Sequence, residues 1–171
     1  MGLSVILRAE GESEDVLEES VSSILDSTRL LGLATIASDG SPAGCNAYFA
    51  YDSECRLYIL TPPSTEHIEN LLRDERIAVL VADSQQTGDG GKRGLQITGT
   101  ARLASGDVLA EGLAAYRDRF PATREALASE GALDASGWES RIYVLIPEHI
   151  KVFDEQTFGV ERWIDVSIAK S

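Results

Sequence analysis

The chain has 171 residues, of which 43% are hydrophobic and 25% are charged, as expected for a folded globular protein. Its formal net charge of −13 argues against nucleic acid and anionic membranes as partners, because both require clustered Lys and Arg. No apolar run has the length of a signal peptide or of a membrane span, so we predict one cytoplasmic domain over residues 1–171.

The cysteines and histidines predict neither a disulfide nor a metal site. Cys45 and Cys55 fall out of register around the turn expected near residues 52–54, which fits two reduced thiols in the cytosol. Together with His67 and His149 they show no metal-ligand spacing.

The first third of the chain predicts a helix followed by two β-hairpins. Residues 1–11 are expected to be a loose lead-in, and the apolar spacing from Glu12 to Ser27 predicts a surface helix. Asp39-Gly40 is a strong tight-turn signal, and a second turn is expected at Asp52-Ser53-Glu54. The predicted strands are Leu30–Ala37, Cys45–Tyr51 and Arg56–Leu60.

The rest of the chain alternates helices and strands. The polar, glycine-rich segment 83–93 is interpreted as a long hairpin connection, with a substrate lid as the alternative. The predicted helices are Ser64–Arg73, Asp107–Phe120 and Thr123–Ser129. The predicted strands are Ile77–Ala82, Leu95–Leu103, Arg141–Ile146 and His149–Phe153, the last two separated by a bend at Pro147.

Five to seven strands, mostly in hairpins, predict a mainly β fold: an antiparallel barrel with α decoration, its helices inserted between strand pairs. The chain has no βαβ alternation and no Gly-x-Gly-x-x-Gly motif, which argues against a doubly wound dinucleotide-binding fold.

The junction Thr61–His67 is the first candidate site. Here a strand runs into a helix whose start carries Thr61, Thr65 and His67, so hydroxyls, an imidazole and free backbone N–H groups could bind a phosphate. The alternative is an ordinary helix start, with Ser64 or Thr65 as its N-cap.

Two further segments are candidates for contact with a flat ring. In Gly44–Phe49, small residues precede aromatic ones on a strand; the alternative is a barrel strand with Tyr48 or Phe49 in the core. Gln96, between Leu95 and Ile97, is interpreted as an inward-facing amide that needs a partner, either a cross-strand backbone group or a ligand carbonyl.

In this order the motifs resemble the FMN-binding split barrel of the pyridoxamine 5′-phosphate oxidase-like superfamily. The resemblance covers residues 30–103: the Asp-Gly hairpin, the aromatic strand, Leu57-Tyr-Ile-Leu-Thr61, then Thr65-Glu66-His67 and Leu95-Gln-Ile-Thr-Gly99. Tyr116-Arg-Asp-Arg-Phe-Pro121 and the strands of residues 141–153 support it, and they resemble a poorly characterised branch rather than the oxidase itself.

The resemblance implies a split β-barrel homodimer with two FMN molecules in clefts between the subunits. It implies hydride transfer through flavin N5 to a small substrate that the sequence does not identify, with NAD(P)H as a candidate electron donor. The implied cofactor-binding residues are Asn46, Ala47, Tyr48 and Phe49 at the isoalloxazine, Leu60 and Thr61 at the ribityl chain and phosphate, Thr65 and His67 at the phosphate, and Gln96 approaching the ring from a neighbouring strand.

The chain departs from the family pattern in two places. Glu66 and His67 stand where the family often has two basic residues, and Arg162-Trp-Ile-Asp165 replaces the oxidase's C-terminal Arg-Leu-x-Pro, so pyridoxine phosphate is not supported as a substrate. The alternatives are a non-catalytic protein that binds FMN, a deazaflavin or haem, with His67 or His149 as the haem ligand, and a dimeric scaffold without cofactor, which Glu66 favours.

Overall fold

The computed structural model describes residues 3–87 and 89–170, which form eight strands, five α-helices and one 3-10 turn. The strands are β1 (Val5–Arg8), β2 (Leu30–Ile36), β3 (Pro42–Tyr51), β4 (Leu57–Thr61), β5 (Arg76–Val81), β6 (Arg93–Leu103), β7 (Arg141–Asp154) and β8 (Trp163–Lys170). The helices are α1 (Glu14–Ser27), α2 (Glu66–Leu71), α3 (Gly106–Arg119), α4 (Glu130–Ala135) and α5 (Glu155–Phe158), and Pro121–Thr123 is the 3-10 turn.

Six strands close into an antiparallel barrel in the order β7-β4-β3-β2-β5-β6, and pairing of β6 with β7 completes the ring. The C-terminal half of β7 also pairs with β8, and β8 pairs with β1, so a short sheet extends from the barrel wall. This is the split barrel with helical decoration that the sequence predicts. Because β5 and β6 are antiparallel neighbours, the segment between them is a long hairpin connection, as predicted.

Two hydrophobic clusters stabilise the fold. Inside the barrel, inward-facing side chains such as Phe49, Ile59 and Val79 are fully buried and continue into the apolar face of α1. Outside it, α3 packs on Tyr58 and its neighbours in the wall. A Cβ at position 112 of α3 would lie 2.6 Å from Cδ1 of Tyr58, so Gly112 is what allows the helix to approach this closely.

A fully buried carboxylate joins three elements near the end of β7. The side chain of Asp154 accepts hydrogen bonds from Ser20 in α1 (2.8 Å), Arg93 in β6 (3.1 Å) and Thr157 in α5 (3.1 Å). These donors hold the pKa of Asp154 below its usual value although burial acts in the opposite direction. The carboxylate therefore remains charged and fixes α1 and α5 against the barrel.

The two closing strands predicted on either side of Pro147 are one continuous strand, which corrects that expectation. The register of β6 and β7 shifts between Thr98 and Gly99, where Gly99 faces Pro147. A Cβ on Gly99 would lie 2.0 Å from the carbonyl oxygen of Ile146. The irregularity therefore accommodates proline, which cannot donate a ladder hydrogen bond, without ending the strand.

The chain termini also differ from prediction. The expected loose lead-in contains β1, whose residues Val5–Arg8 pair with Ser167–Lys170 of the unpredicted strand β8. β1 is a four-residue edge strand without a pattern of its own, whereas β8 lies between β1 and β7 and carries the alternating run Ile164-Asp-Val-Ser-Ile168, which the sequence analysis missed. Their pairing joins residues about 160 positions apart in the chain, a contact that local patterns do not reveal.

The helix predicted over Thr123–Ser129 is wrong: α4 begins only at Glu130. The side-chain oxygen of Ser129 accepts a hydrogen bond from the N–H of Ala132 and so acts as the N-cap rather than the last residue of a helix. Within the described residues, no helix is both long and apolar enough to cross a membrane.

Candidate functional site

Thr61, Thr65 and His67 come together at one end of the barrel. Thr61 is the last residue of β4, Thr65 is the N-cap of α2, and His67 lies in the first turn of that helix. The His67 Nε2 atom is 2.9 Å from Thr61 Oγ1 and 3.0 Å from Thr65 Oγ1, and the two hydroxyl oxygens are 3.5 Å apart. The predicted phosphate residues therefore form one polar trio.

The hydrogen bonds of this trio define the histidine tautomer. Thr65 Oγ1 donates its single proton to the carbonyl of Pro62 at 2.9 Å, so it can only accept from His67. We therefore assign the proton to Nε2, which donates towards both threonine oxygens. In this arrangement the hydroxyl proton of Thr61 is left for another acceptor.

The electrostatics of the trio come from burial and from Glu66. Burial lowers the pKa of His67, and the nearby Glu66 carboxylate opposes that effect. Burial and the same carboxylate raise the pKa of the Cys45 thiol. The imidazole is thus neutral at pH 7, and a carboxylate stands where a phosphate site would favour a cation.

Arg141 is the cation that the fold brings opposite Thr61, and the sequence analysis missed it. It is the β7 partner of Thr61 in the register. Its guanidinium is turned towards the carbonyls of Trp138 and Ser140, and it forms an ion pair of 3.3 Å with Asp134. Arg141 lies near Thr61 only because β4 pairs with β7, and this long-range pairing cannot be read from local sequence patterns.

The candidate residues of β3 divide between the two faces of the barrel wall. Asn46 and Tyr48 point outward, and the Tyr48 side chain is 62% exposed. Ala47 and Phe49 point inward, and Phe49 is fully buried, so the core interpretation is correct for this ring. Only Asn46 and Tyr48 can offer side chains to a ligand on the outer face, because strand side chains alternate.

Gln96 is not the inward-facing amide that the sequence suggested. It points outward from β6 and is exposed, while its neighbours Leu95 and Ile97 face the core. It is also not on a strand next to the trio, since β3, β2 and β5 lie between β4 and β6. Across β5 and β2, however, Gln96 lies in one outward-facing row with Leu80, Gly32 and Asn46, roughly 14 Å from Asn46 by three strand spacings.

The outer face has an apolar floor of small residues. One open cavity of about 430 Å³ crosses β3, β2 and β5 and is lined by Gly32, Ala34, Gly44, Asn46, Ala78 and Leu80. A second cavity of about 430 Å³ shares Leu80 and reaches Gln96. The rings of Phe153 and Trp163 also line the second cavity, stacked with their centroids 4.1 Å apart.

Tyr116 is a residue whose polar role the sequence did not reveal. Its spacing predicts only an apolar position on α3, and its side chain is 3% exposed. Its hydroxyl nevertheless donates to the carbonyl of Tyr48 at 2.6 Å and accepts from the N–H of Leu60 at 3.1 Å. It thus bridges two of the predicted cofactor-binding residues.

Comparison with known proteins identifies the family. The family model described as pyridoxamine 5′-phosphate oxidase matches residues 17–142, about three quarters of the chain. The chain belongs to the pyridoxamine 5′-phosphate oxidase-like family. The resemblance seen in the order of the sequence motifs is confirmed, and the match includes the polar trio, the outward residues of β3 and Gln96. No curated protein matches the chain in sequence.

Solved structures share the fold of this family member at low identity. A haem-binding protein from Mycobacterium smegmatis has a TM-score of 0.67 and 21% identity over 87% of this chain, which spans 56% of that protein. A conserved hypothetical protein from Mycobacterium tuberculosis has a TM-score of 0.66 and 22% identity, covering 85% of this chain and 89% of that one. The haem storage protein HutZ from Vibrio cholerae has a TM-score of 0.61 and 18% identity, with 77% and 90% covered.

The cysteines of this pyridoxamine 5′-phosphate oxidase-like chain are both free. Cys45 is half-buried and Cys55 is buried, and burial raises the pKa of the Cys55 thiol to about 12. In the part of the chain that the structure describes, no three His, Cys, Asp or Glu side chains form a group that could hold a metal ion.

Proposed function

We propose that this protein binds FMN and acts as a flavin-dependent oxidoreductase, in the form of a homodimer whose chain is a single domain. The observation that carries the proposal is the convergence of Thr61, Thr65 and His67 within 3.5 Å of one another at the junction of β4 and α2. The open apolar cavity over β3, β2 and β5 is the second feature. Hydroxyl and imidazole groups are donors suited to a phosphate, and the apolar floor suits a flat ring.

The donor set fits a phosphate that is held mainly by hydrogen bonds. The Thr61 hydroxyl proton is the side-chain donor that is free for a phosphate, since the Nε2–H of His67 already donates to the two threonine oxygens. A bound dianion would favour protonation of His67. Glu66 weakens the site, so we expect a lower FMN affinity than in a site with two cations at these positions.

The ring would lie along the outer face near Asn46 and Tyr48, with Leu60 and Thr61 leading to the phosphate. Ala47 and Phe49 would contribute backbone atoms, since their side chains face the core. FMN supplies hydride transfer at its N5 atom, with NAD(P)H as the candidate donor and a small molecule as the substrate. The chain would bind and orient the cofactor.

Gln96 lies on the same outer face as Asn46. It pairs with Leu80, Leu80 with Gly32 and Gly32 with Asn46, so this row spans three strand spacings, roughly 14 Å. The homodimer is proposed from the family resemblance, and a second copy on this face would cover a ring bound near Asn46 and Tyr48. The free thiols Cys45 and Cys55 fit a reducing compartment such as the cytoplasm.

An FMN titration of the purified protein tests the proposal. Wild-type protein should give a saturable change in flavin absorbance and should gain thermal stability from FMN. The double variant Thr61→Val, Thr65→Ala removes both hydroxyls, and we expect a loss of FMN affinity of about tenfold or more before fold stability is affected.

Ser64→Ala is the matched control, because Ser64 lies on the same connection with an exposed side chain. It should bind FMN like the wild type. Unchanged affinity in the double variant would remove the phosphate assignment. Bleaching of bound flavin by NAD(P)H supports a reductase. A yellow protein that reacts with neither nicotinamides nor oxygen supports a binding protein or a different electron donor. A colourless protein that does not bind FMN supports the scaffold alternative.

Haem is a second candidate, because two proteins with this fold are described as haem-binding and haem-storage proteins. His149 is the suitable ligand: its side chain is 49% exposed, whereas His67 is held by two threonines. Addition of haemin should then give a Soret band that shifts on binding and is lost in His149→Ala. If the spectrum stays that of free haemin and FMN binding is saturable, haem is excluded and FMN is supported as the cofactor.

A further inference from the structure

The hydroxyl of Tyr116 occupies a position that a direct strand-to-strand hydrogen bond would normally take. The β3–β4 register runs from Tyr51–Leu57 through Ala50–Tyr58 to Phe49–Ile59, so the next pair is Tyr48 with Leu60. Instead of bonding to the carbonyl of Tyr48, the N–H of Leu60 donates to Tyr116 Oη, and this hydroxyl donates to that carbonyl.

This insertion separates the two strands. A direct N–H···O bond would bring the two atoms to about 2.9 Å. Here the path from Leu60 N to Tyr48 O consists of two successive bonds of 3.1 and 2.6 Å. The strands therefore begin to diverge at the Tyr48–Leu60 pair, one residue before Thr61, the first member of the polar trio.

The last turn of α3 holds the same part of β3 by two further contacts. The ring of Phe120 packs edge-on against Tyr48, with centroids 5.8 Å apart, and lies 5.1 Å from the ring of Tyr116. The Arg119 guanidinium lies 4.8 Å from the Phe49 ring centroid and donates to the carbonyls of Leu25 and Thr28. Tyr116 is thus held rigidly, and its hydroxyl cannot be replaced by a small shift of the helix.

We propose that Tyr116 is a positioning residue for the cofactor site. Its hydroxyl sets the width of the gap between Tyr48, at the ring end of the site, and Leu60, which precedes the phosphate-binding Thr61. The inference rests on the proposed function, but the strand separation itself is a property of the free protein. Tyr116 contacts the cofactor only through the strands that it holds apart.

The variant Tyr116→Phe tests this role. Phenylalanine keeps the ring contacts with Phe120 and removes both hydrogen bonds of the hydroxyl. We expect FMN affinity to fall roughly tenfold. We also expect the circular dichroism of bound flavin at saturation to change, because Tyr48 and Leu60 would move closer together and shift the strands that position the flavin. Hydrogen exchange of the Leu60 amide should change as well, with or without FMN.

Tyr58→Phe is the matched control. Tyr58 is a fully buried tyrosine on β4 that packs against the same helix, and its hydroxyl donates to Asp52 at 2.6 Å, at the opposite end of the strand. Its loss should lower thermal stability at least as much as the loss at Tyr116. FMN affinity, flavin dichroism and Leu60 exchange should stay at their wild-type values.

The outcomes separate the inference from the proposed function. Wild-type protein that does not bind FMN overturns the proposed function and the cofactor role of Tyr116 together. Wild-type binding with unchanged affinity and dichroism in Tyr116→Phe overturns the positioning role alone. Should that variant not fold, the unsubstituted protein still decides, since a rapidly exchanging Leu60 amide would show that the hydroxyl does not hold the strands.

Discussion

Among single residues, His67 combines a half-buried imidazole with two hydroxyl acceptors. Neutral imidazole suits the trio, because Nε2–H satisfies Thr61 and Thr65 without a charge to solvate. Burial lowers the pKa of His67 from its ordinary value of 6.5, and Glu66 acts in the opposite direction. The protonation state of this one side chain therefore links the site to the stability of the fold.

We expect this linkage to appear in the pH dependence of unfolding. The unfolded chain binds a proton at His67 more readily than the folded chain, so its contribution to stability is full above pH 6.5 and is lost as pH falls towards the lowered folded pKa. Urea unfolding at about pH 7.5 and about pH 5 should show a larger drop for wild type than for His67→Gln. Equal drops would mean that the burial of His67 does not shift its pKa.

At the scale of elements, β7 shows how one glycine keeps a long strand continuous. Pro147 would be expected to interrupt the β6–β7 ladder, and the sequence pattern does predict a break there. The strand continues because Gly99 lets its backbone approach the carbonyl of Ile146. The N-terminal half of β7 then pairs with β4 and its C-terminal half with β8, both on the edge opposite β6.

The substitution Gly99→Ala tests this arrangement. Its Cβ would lie 2.0 Å from a backbone oxygen, so the strands must separate, and we expect a loss of at least about 2–3 kcal/mol in the free energy of unfolding. Gly44→Ala is the control, since the nearest atom to its Cβ would be 3.9 Å away. A denaturation midpoint of Gly99→Ala equal to that of the control would contradict the close approach.

At the scale of the whole molecule, one face of the barrel is unusually apolar. Tyr48, Leu80 and Leu30 are 62%, 58% and 44% exposed, and they surround the floor of small residues. Exposed apolar surface of this kind marks an interaction face. A second copy on this face would cover these side chains and the proposed cofactor site.

We therefore expect Leu80→Asp to produce a monomer with weakened FMN binding. The side chain is exposed in one subunit, so the fold should retain its stability while a buried aspartate would oppose association. Light scattering should give twice the 18.4 kDa chain mass for wild type and the single mass for the variant. Val160→Asp, at a side chain 80% exposed near α5, should remain dimeric. A wild-type monomer would rule out the dimer.

The sequence alone predicted the parts of the site that lie close together in the chain. Thr61, Thr65 and His67 span one strand-to-helix junction, and their spacing suffices to bring them together. The sequence could not decide whether Tyr48 or Phe49 faces the core, because either choice gives an alternating strand until the register with neighbouring strands is known. The predicted inward orientation of the Gln96 side chain was wrong. Strand side chains alternate, so when Leu95 and Ile97 face the core, Gln96 between them faces outward.

Local patterns in the amino-acid sequence were enough for most of the elements and for the family: apolar periodicity, the Asp-Gly turn and motif order specify an antiparallel split barrel with helices. The folded chain was needed for β1 and β8, for the closing pairs of the barrel, for Arg141 opposite Thr61, and for Tyr116 between β3 and β4. The physical reason is the separation along the chain of the residues that make each contact. Periodicity and turn chemistry are local, whereas register and inserted hydrogen bonds depend on contacts between distant segments, which form only when the barrel closes.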